Sequence, residues 1–389
     1  MNIAYVLNLT TPNGGATKAF LNLLKGLMEK GVSPVVIVPD KQGVYTTLVE
    51  AGIKTYAITF RDNCLSHART WKEKLLFVPR MVAKVIVNRK AADKLATILR
   101  EEHIDILHSN SSVISIGFRA TRKAGIPHLY HIREYRDLDF GKHYFPNEQS
   151  FARQLEQADS YSICITKDIQ RHFHQEDNCR SRVIYDGVFE EASQMPASPK
   201  SDFFLYAGRI EPAKGLDTLL EAYFHYATKQ TSKPTKLKVV GGYMDTPFVR
   251  AQQTYIKTHH LEEHVEILGE RDDLPTLMSE AKAIIIPSRR EGFGFCMPEA
   301  MHLGCLVIAR NTGGTKEQLD NGLALAGQEI ALRYETTEEL TSLLSSVSEA
   351  TENDFQTYKE NAFKVVNQLY TLERSTEQVL QYYNDILHD

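Results

Sequence analysis

The stretch from Lys282 to Leu319 constrains the fold more than any other part of this chain. It contains two short apolar runs, Ala283–Pro287 and Cys305–Ala309, and each is followed by a polar turn with glycine and then a helical pattern. An Ile-rich run of this length is typical of a strand buried on both faces. Strand, turn and helix repeated in this order predict an α/β fold with a parallel sheet. Because ligands bind outside the carboxyl ends of parallel strands, the two turns are the expected site.

Two carboxylates, Glu291 and Glu299, bracket the first turn, with Gly292-Phe293-Gly294-Phe295 between them and Ala300-Met301 after them. By itself such a pair could be two surface glutamates on an ordinary βα unit. In this strand–loop–helix context the pattern resembles the nucleotide-sugar site of the retaining glycosyltransferases of family 4. The resemblance implies that Glu299 accepts hydrogen bonds from ribose hydroxyls and that Glu291 accepts them from the transferred sugar.

The same resemblance implies a GT-B fold, which consists of two Rossmann-like doubly wound α/β domains facing across a cleft. Repeated βα units in both halves of the chain agree with two doubly wound domains. We expect an acceptor-binding domain at residues 1–190 and a nucleotide-sugar-binding domain at 191–370. By resemblance, residues 371–389 form a last helix that packs back on the first domain.

Two features of the first half are candidate ligand contacts. Gly14-Gly15 follows the first apolar run, but the turn lacks G-x-G-x-x-G, so a nicotinamide cofactor is not expected. The glycines form either a simple tight turn or, by resemblance, a turn whose backbone approaches the donor phosphates. His131 ends a predicted strand, and although a lone histidine is usually structural, the resemblance implies a catalytic His beside the donor sugar. The family often has Asp soon after this His, whereas Ile132-Arg133-Glu134 follows here.

Arg209 and Lys214 lie on one predicted strand-to-helix loop of the second half. Two cations beside a helix N-terminus suit a diphosphate, although they could also be exposed surface charges. The resemblance assigns both to the donor phosphates and, with His131 and Glu291, to the catalytic set. The remaining predicted donor-binding residues lie in turns that follow strands, namely Gly241, Glu270, Arg271, Gly292, Phe293, Gly294, Phe295, Gly313 and Gly314.

No metal or cofactor is expected. Asp137-Leu138-Asp139 matches a D-x-D motif that holds a divalent cation in the other major glycosyltransferase fold. Here it stands in a charged loop without further support, so we interpret the match as coincidence.

Residues 66–100 are basic and amphipathic, and they contain the only Trp of the chain, Trp71. Such a segment either lies on an anionic membrane surface or packs on the sheet with a solvated basic face. Pro79 is expected to break or kink it. Membrane contact would fit a lipid-linked saccharide acceptor, as in capsule or exopolysaccharide assembly.

Composition limits which cellular compartment and which binding partners are expected. The formal net charge is −4, with a basic first half and an acidic second half, and a nucleic-acid partner is not expected. Five scattered cysteines suit a reducing compartment. No signal peptide or membrane-spanning run is visible, so we expect a cytoplasmic protein, with the inner face of the plasma membrane as an alternative site.

The predicted activity is transfer of a hexosyl group from a nucleotide diphosphate sugar, with UDP favoured, to a saccharide acceptor. No residue stands out as a nucleophile, which fits front-face retention without metal. Two alternatives are a nucleotide-sugar 2-epimerase of the same fold and a non-catalytic nucleotide-sugar-binding protein.

Overall fold

The computed structural model describes residues 1–8, 10–11, 14–66, 76–196 and 198–389. The chain forms two compact units: Met1–Gly187 together with Leu372–Asp389, and Val188–Thr371. Each unit contains one large parallel sheet with helices, so the predicted α/β class is confirmed.

The large sheet of the first unit has seven parallel strands in the order β3-β2-β1-β5-β6-β8-β9, and β4 and β7 pair antiparallel beside it. The strands are β1 Asn2–Val6, β2 Ser33–Val38, β3 Lys54–Ala57, β4 Cys64–Ser66, β5 Ile106–Ser109, β6 His128–Ile132, β7 Lys142–Tyr144, β8 Ser160–Cys164 and β9 Ser181–Val183. The helices are Gly15–Glu29, Val44–Glu50, Phe77–Glu101, Ser115–Ala124, Asp137–Phe140, Glu148–Leu155, Lys167–His172 and Leu372–His388.

Side chains of β1 alternate between two cores, as the period of a strand requires. Tyr5 packs in a core that includes helices Gly15–Glu29 and Leu372–His388. Val6 packs in a second core with the later turns of helix Phe77–Glu101. Since each fully buried large apolar side chain contributes about 1.5–3 kcal/mol, both faces of the sheet are held by burial. The last helix of the chain is therefore part of the first unit's core.

The start of helix Phe77–Glu101 differs from the prediction for the basic segment. Pro79 lies in the first turn, where a backbone without N–H loses no helical hydrogen bond, so the helix continues through it. Residues 67–75, including Trp71, lie outside the described residues. No helix in the described ranges is long and apolar enough to cross a membrane.

The sheet of the second unit has six parallel strands in the order β12-β11-β10-β13-β14-β15. They are β10 Ser201–Ala207, β11 Lys236–Val240, β12 Val265–Gly269, β13 Ala281–Ile286, β14 Val307–Arg310 and β15 Leu332–Tyr334. The helices are Leu216–Lys229, Pro247–Thr258, Leu274–Glu280, Cys296–His302, Gly313–Ala326, Thr337–Glu349 and Gln356–Leu369. The two apolar runs of the opening sequence argument correspond to β13 and β14.

Strand order in this sheet reverses between β10 and β13, which are hydrogen-bonded neighbours. Connections from these two strands leave in opposite directions, so the loops at their carboxyl ends flank a crevice. This topological switch point is the place where open α/β sheets bind ligands.

Candidate functional site

The loops that follow β10 and β13 touch each other through their backbones. A Cβ on Gly215 would lie 2.0 Å from the carbonyl oxygen of Pro287, and Gly215 has a φ of +71°. The amide of Arg289 donates to the carbonyl of Ala213 over 2.9 Å. Glycine at 215 therefore satisfies both the left-handed backbone and the close approach. Side chains on the two loops are consequently held in fixed relation.

Lys214 and Glu291 form the central contact of this site. Nζ of Lys214 donates to both carboxylate oxygens of Glu291, over 2.7 and 2.8 Å. The hydroxyl of Ser288, a buried residue, donates to Oε1 of the same glutamate over 2.7 Å. Burial acts to lower the pKa of Lys214, but the pairing with Glu291 outweighs it and raises the pKa above the usual value. The ammonium therefore stays charged beside its carboxylate.

Cys296 is the first residue of the helix that carries Glu299, and the pKa of its thiol responds to the nearby charges. Burial raises the pKa of its thiol to about 12, and the carboxylates of Glu299 and Glu291 add to the increase. Both glutamates of the sequence motif thus act electrostatically on one partly buried thiol, which stays neutral. The structure brings the two predicted carboxylates to the same end of the sheet.

Helix Gly313–Ala326 supports the loop that carries Glu291. The amide of Gly314 donates to the carbonyl of Glu291 over 2.8 Å. A Cβ on Gly314 would lie 2.5 Å from the carbonyl oxygen of Gly292, so a larger residue would displace backbone. Gln318 donates to the carbonyl of buried Phe293. The predicted residues Gly292, Phe293 and Gly314 are therefore joined around the loop, and Gly294, Phe295 and Gly313 are their neighbours in the sequence.

Arg209 and Arg271 are both exposed and pair with nearby carboxylates. The side chain of Arg209 is 62% exposed and contacts Glu211 over 3.0 Å. Arg271 donates to both oxygens of Asp273, over 2.8 and 2.7 Å. In the described residues neither guanidinium forms an ion pair with a site carboxylate, although the charge of Arg209 is near enough to act on Lys214 and to oppose the rise in its pKa.

Loops after β10, β11 and β12 are also joined. A Cβ on Gly241 would lie 2.0 Å from the carbonyl oxygen of Gly208, and the amide of Gly241 donates to Gly269 over 2.8 Å. Exposed Glu270 follows, and its carboxylate lies against Gly242, where an added Cβ would come within 2.2 Å. These residues form the rim of the crevice on the β12 side.

In the first unit, His131 is buried within β6 and is surrounded by polar side chains. Its Nδ1 lies 3.1 Å from Nε2 of His108 and 3.3 Å from Nη2 of Arg133. Its Nε2 lies 3.7 Å from Oδ1 of Asp186. Burial, assisted by Arg133 and His108, holds the pKa of His131 well below its usual value. His131 is therefore a neutral imidazole.

Gly14 and Gly15 stand at the start of helix Gly15–Glu29, where the carbonyl of Gly14 accepts from the amide of Thr17 over 3.0 Å. A Cβ on Gly14 would meet only ordinary contacts. Space within the first unit therefore does not require a glycine at 14.

Sequence reasoning missed Ser288, Cys296 and His108. Ser288 closely follows β13 and His108 lies near the carboxyl end of β5, so the rule that ligand groups follow parallel strands could have identified both. Cys296 stands between the two glutamates in the sequence, but no sequence pattern marked it as part of the site.

Two family models together match most of the chain. The model for glycosyl transferases group 1 matches residues 188–362, and the model for glycosyltransferase family 4 matches residues 13–191. The chain therefore belongs to the glycosyltransferases of family 4, which confirms the family predicted from the glutamate motif.

Curated relatives agree with this assignment. An uncharacterised glycosyltransferase of Methanocaldococcus jannaschii is 27% identical over 229 residues, which is 58% of this chain and 61% of the relative. The chain thus spans less than two thirds of the length of that relative. A UDP-Gal:α-D-GlcNAc-diphosphoundecaprenol α-1,3-galactosyltransferase of Escherichia coli is 25% identical over 272 residues, 62% of this chain and 67% of the relative.

Among solved structures, HepE of Anabaena in complex with UDP has a TM-score of 0.77 at 20% identity. The match covers 99% of this chain and 100% of that protein. At this identity the likeness shows the fold, and the predicted GT-B architecture is confirmed.

Proposed function

We propose that the protein is a retaining glycosyltransferase that moves a hexosyl group from a UDP-sugar to a saccharide acceptor. The single observation that carries the proposal is the Lys214–Glu291 pair at the β10/β13 switch point. The complex of HepE with UDP and the UDP-galactose specificity named for the Escherichia coli relative support UDP over other bases.

In this proposal, Glu291 and Lys214 exchange their mutual contact for contacts to the donor. Lys214 then neutralises charge on the leaving diphosphate, and Arg209 moves from Glu211 to assist it, so no metal is required. Glu291 accepts hydrogen bonds from the transferred sugar, and Glu299 accepts them from the ribose. The predicted roles of Gly14, Gly15, Gly241, Glu270, Arg271 and His131 stay predictions.

Retention needs no protein nucleophile if the leaving phosphate takes the acceptor's proton on the same face of the sugar. The Cys296 thiol does not change this picture, because a thiol whose pKa is raised to about 12 is protonated and a poor nucleophile. Catalysis then consists of orienting the donor and stabilising the leaving group.

We further propose that the acceptor is lipid-linked and that helix Phe77–Glu101 meets an anionic membrane surface on the cytoplasmic side. Val78, Val82 and Ile86 are 66, 53 and 50% exposed, and they share one face of the helix because they are four residues apart. Exposed Arg89 and Lys90 follow on or beside the same face. A solvated basic face alone would not need three exposed β-branched apolar side chains. The lipid-linked acceptor named for the Escherichia coli relative agrees with this.

Thermal unfolding with a panel of nucleoside diphosphates tests the donor site. A ligand at a concentration one hundred times its Kd stabilises the folded state by about 2.7 kcal/mol. We expect UDP to raise Tm without magnesium and the Glu299→Ala variant to lose most of the shift. Glu266→Ala, whose carboxylate pairs with Lys236 over 2.6 Å, is the control and should keep the shift. Absence of any shift with UDP would overturn the proposed donor.

The two alternative functions differ in their products. A nucleotide-sugar 2-epimerase converts the nucleotide sugar into an isomer without net release of UDP, whereas a binding protein leaves the nucleotide sugar unchanged. Accumulation of free UDP together with a glycosylated lipid-linked acceptor supports the transferase, and an isomerised nucleotide sugar without free UDP contradicts it.

A further inference from the structure

A chain of hydrogen bonds leads from the last helix of the protein to His131. The hydroxyl of Tyr383, on helix Leu372–His388, lies 2.6 Å from Nδ1 of His108 and 3.2 Å from the hydroxyl of Tyr5. Nε2 of His108 then lies 3.1 Å from Nδ1 of His131. All four side chains are buried, so water does not compete for these hydrogen bonds.

Arg133 determines which atoms donate and which accept in this series of hydrogen bonds. A guanidinium has only N–H donors, and Nη2 of Arg133 points at Nδ1 of His131 over 3.3 Å. Nδ1 of His131 is therefore an acceptor, and the hydrogen of this neutral ring is on Nε2. His108 must then donate from Nε2 and accept at Nδ1, so the hydroxyl of Tyr383 donates to Nδ1 of His108.

Nε2 of His131, at the other end of this series of hydrogen bonds, is a donor that none of them uses. Nε2 of His131 is buried and has no hydrogen-bond partner among the described residues. Oδ1 of Asp186 lies 3.7 Å away, beyond hydrogen-bond distance, while Oδ2 of Asp186 accepts from Arg133. A buried N–H without a partner, near the carboxyl end of β6, is available to an oxygen atom of a ligand.

We propose that Tyr383 and His108 are positioning residues which, together with Arg133, hold His131 in the Nε2–H tautomer. His131 thereby presents a hydrogen-bond donor to a ligand at the carboxyl end of the first sheet. The last helix of the chain thus has a role in the site besides its packing. The consequence for turnover rests on the function proposed above, whereas the tautomer does not.

The tautomer is measured directly by nitrogen-15 NMR of the histidine rings in the full-length protein without ligand. The His131 signals are assigned by their loss in His131→Gln. We expect hydrogen on Nε2 only in the unmodified protein and a mixture of tautomers in Tyr383→Phe. Without the hydroxyl of Tyr383, nothing donates to Nδ1 of His108. The ring hydrogen of His108 can then move from Nε2 to Nδ1.

Tyr382→Phe is the matched control. It deletes a neighbouring tyrosine hydroxyl on the same helix, one that donates to the carbonyl of Arg180 over 2.6 Å, outside the chain that reaches His131. Only Tyr383→Phe is expected to change the His131 spectrum and to lower kcat with the UDP-sugar, by about threefold to tenfold, with little change in KM.

His108→Gln is the conservative variant, because one amide can donate to His131 and accept from Tyr383. It should preserve the His131 tautomer, whereas His108→Leu should not.

Hydrogen on Nδ1 of His131 in the unmodified protein, or equal spectra for Tyr383→Phe and Tyr382→Phe, would overturn the proposal. A changed spectrum with unchanged turnover would remove the positioning role. Absence of any UDP-sugar turnover in the unmodified protein would instead overturn the proposed function and leave the tautomer result standing.

Discussion

Nζ of Lys214 donates to both carboxylate oxygens of Glu291, over 2.7 and 2.8 Å, and joins the loops that follow β10 and β13. The two residues are far apart in sequence but close in space, because their loops follow β10 and β13, which are neighbouring strands. Both side chains are mostly buried, with 23 and 13% of their surfaces exposed. The strand order of the second unit therefore brings together the two residues on which the proposed chemistry depends.

Glu291→Gln is expected to lower kcat by about a hundredfold, because the sugar loses an orienting carboxylate. The same change weakens a mostly buried ion pair, so the free energy of unfolding should fall by about 1–3 kcal/mol. Steady-state kinetics with UDP-sugar and urea unfolding measure the two effects. Glu266→Gln, in the more exposed Lys236–Glu266 pair, is the control and should change turnover little. Full activity in Glu291→Gln would contradict the assigned role.

Gly314→Ala should reduce both stability and turnover. Its Cβ would lie 2.5 Å from the carbonyl oxygen of Gly292, and relieving that overlap moves the loop that carries Glu291. Overpacking of this kind costs about 1–3 kcal/mol. Gly327→Ala, at the end of the same helix, meets nothing within 4 Å but has a φ of +71°. It should cost about 1–2 kcal/mol without loss of turnover. Equal turnover in the two variants would show that the loop tolerates the displacement.

Stability should fall as the pH decreases from about 7 to about 5, in part because His128 is buried. Burial lowers the pKa of His128 to about 3, whereas an unfolded histidine titrates near its usual value. The unfolded state therefore binds a proton that the folded state does not, so stability present at neutral pH is lost as the pH falls. His128 alone should account for about 2 kcal/mol over this interval. Urea unfolding should show a decrease smaller by that amount in His128→Gln, and an identical pH profile would contradict the burial argument.

The face formed by Val78, Val82 and Ile86 should bind vesicles that contain anionic lipid. Replacing all three with Ser removes the apolar contact and should abolish co-flotation at low salt. Arg89→Gln with Lys90→Gln should weaken binding roughly thirtyfold, since each basic residue near an anionic surface contributes about 1 kcal/mol. Leu323→Ser with Leu325→Ser, two exposed leucines on another helix, is the matched control. Flotation that is equally strong with purely zwitterionic vesicles would exclude the charge contribution.

The sequence by itself determined the repeating βα pattern, the parallel sheets and the motif around Glu291 and Glu299. These features depend on the order of short apolar runs and turns, which local periodicity reveals. The motif also sufficed to predict the family. Pro79, expected to break or kink the basic segment, lies in the first turn of helix Phe77–Glu101 and does not interrupt it, because the effect of a proline depends on where the helix begins.

Only the tertiary structure decided which distant residues meet. Strand order brings Lys214 to Glu291, and the return of the last helix to the first unit brings Tyr383 to His108 and so to His131. Arg209, by contrast, pairs with Glu211 on its own loop. Local patterns contain no information on such long-range contacts, because strand order and helix docking depend on the burial of complete faces rather than on nearby residues.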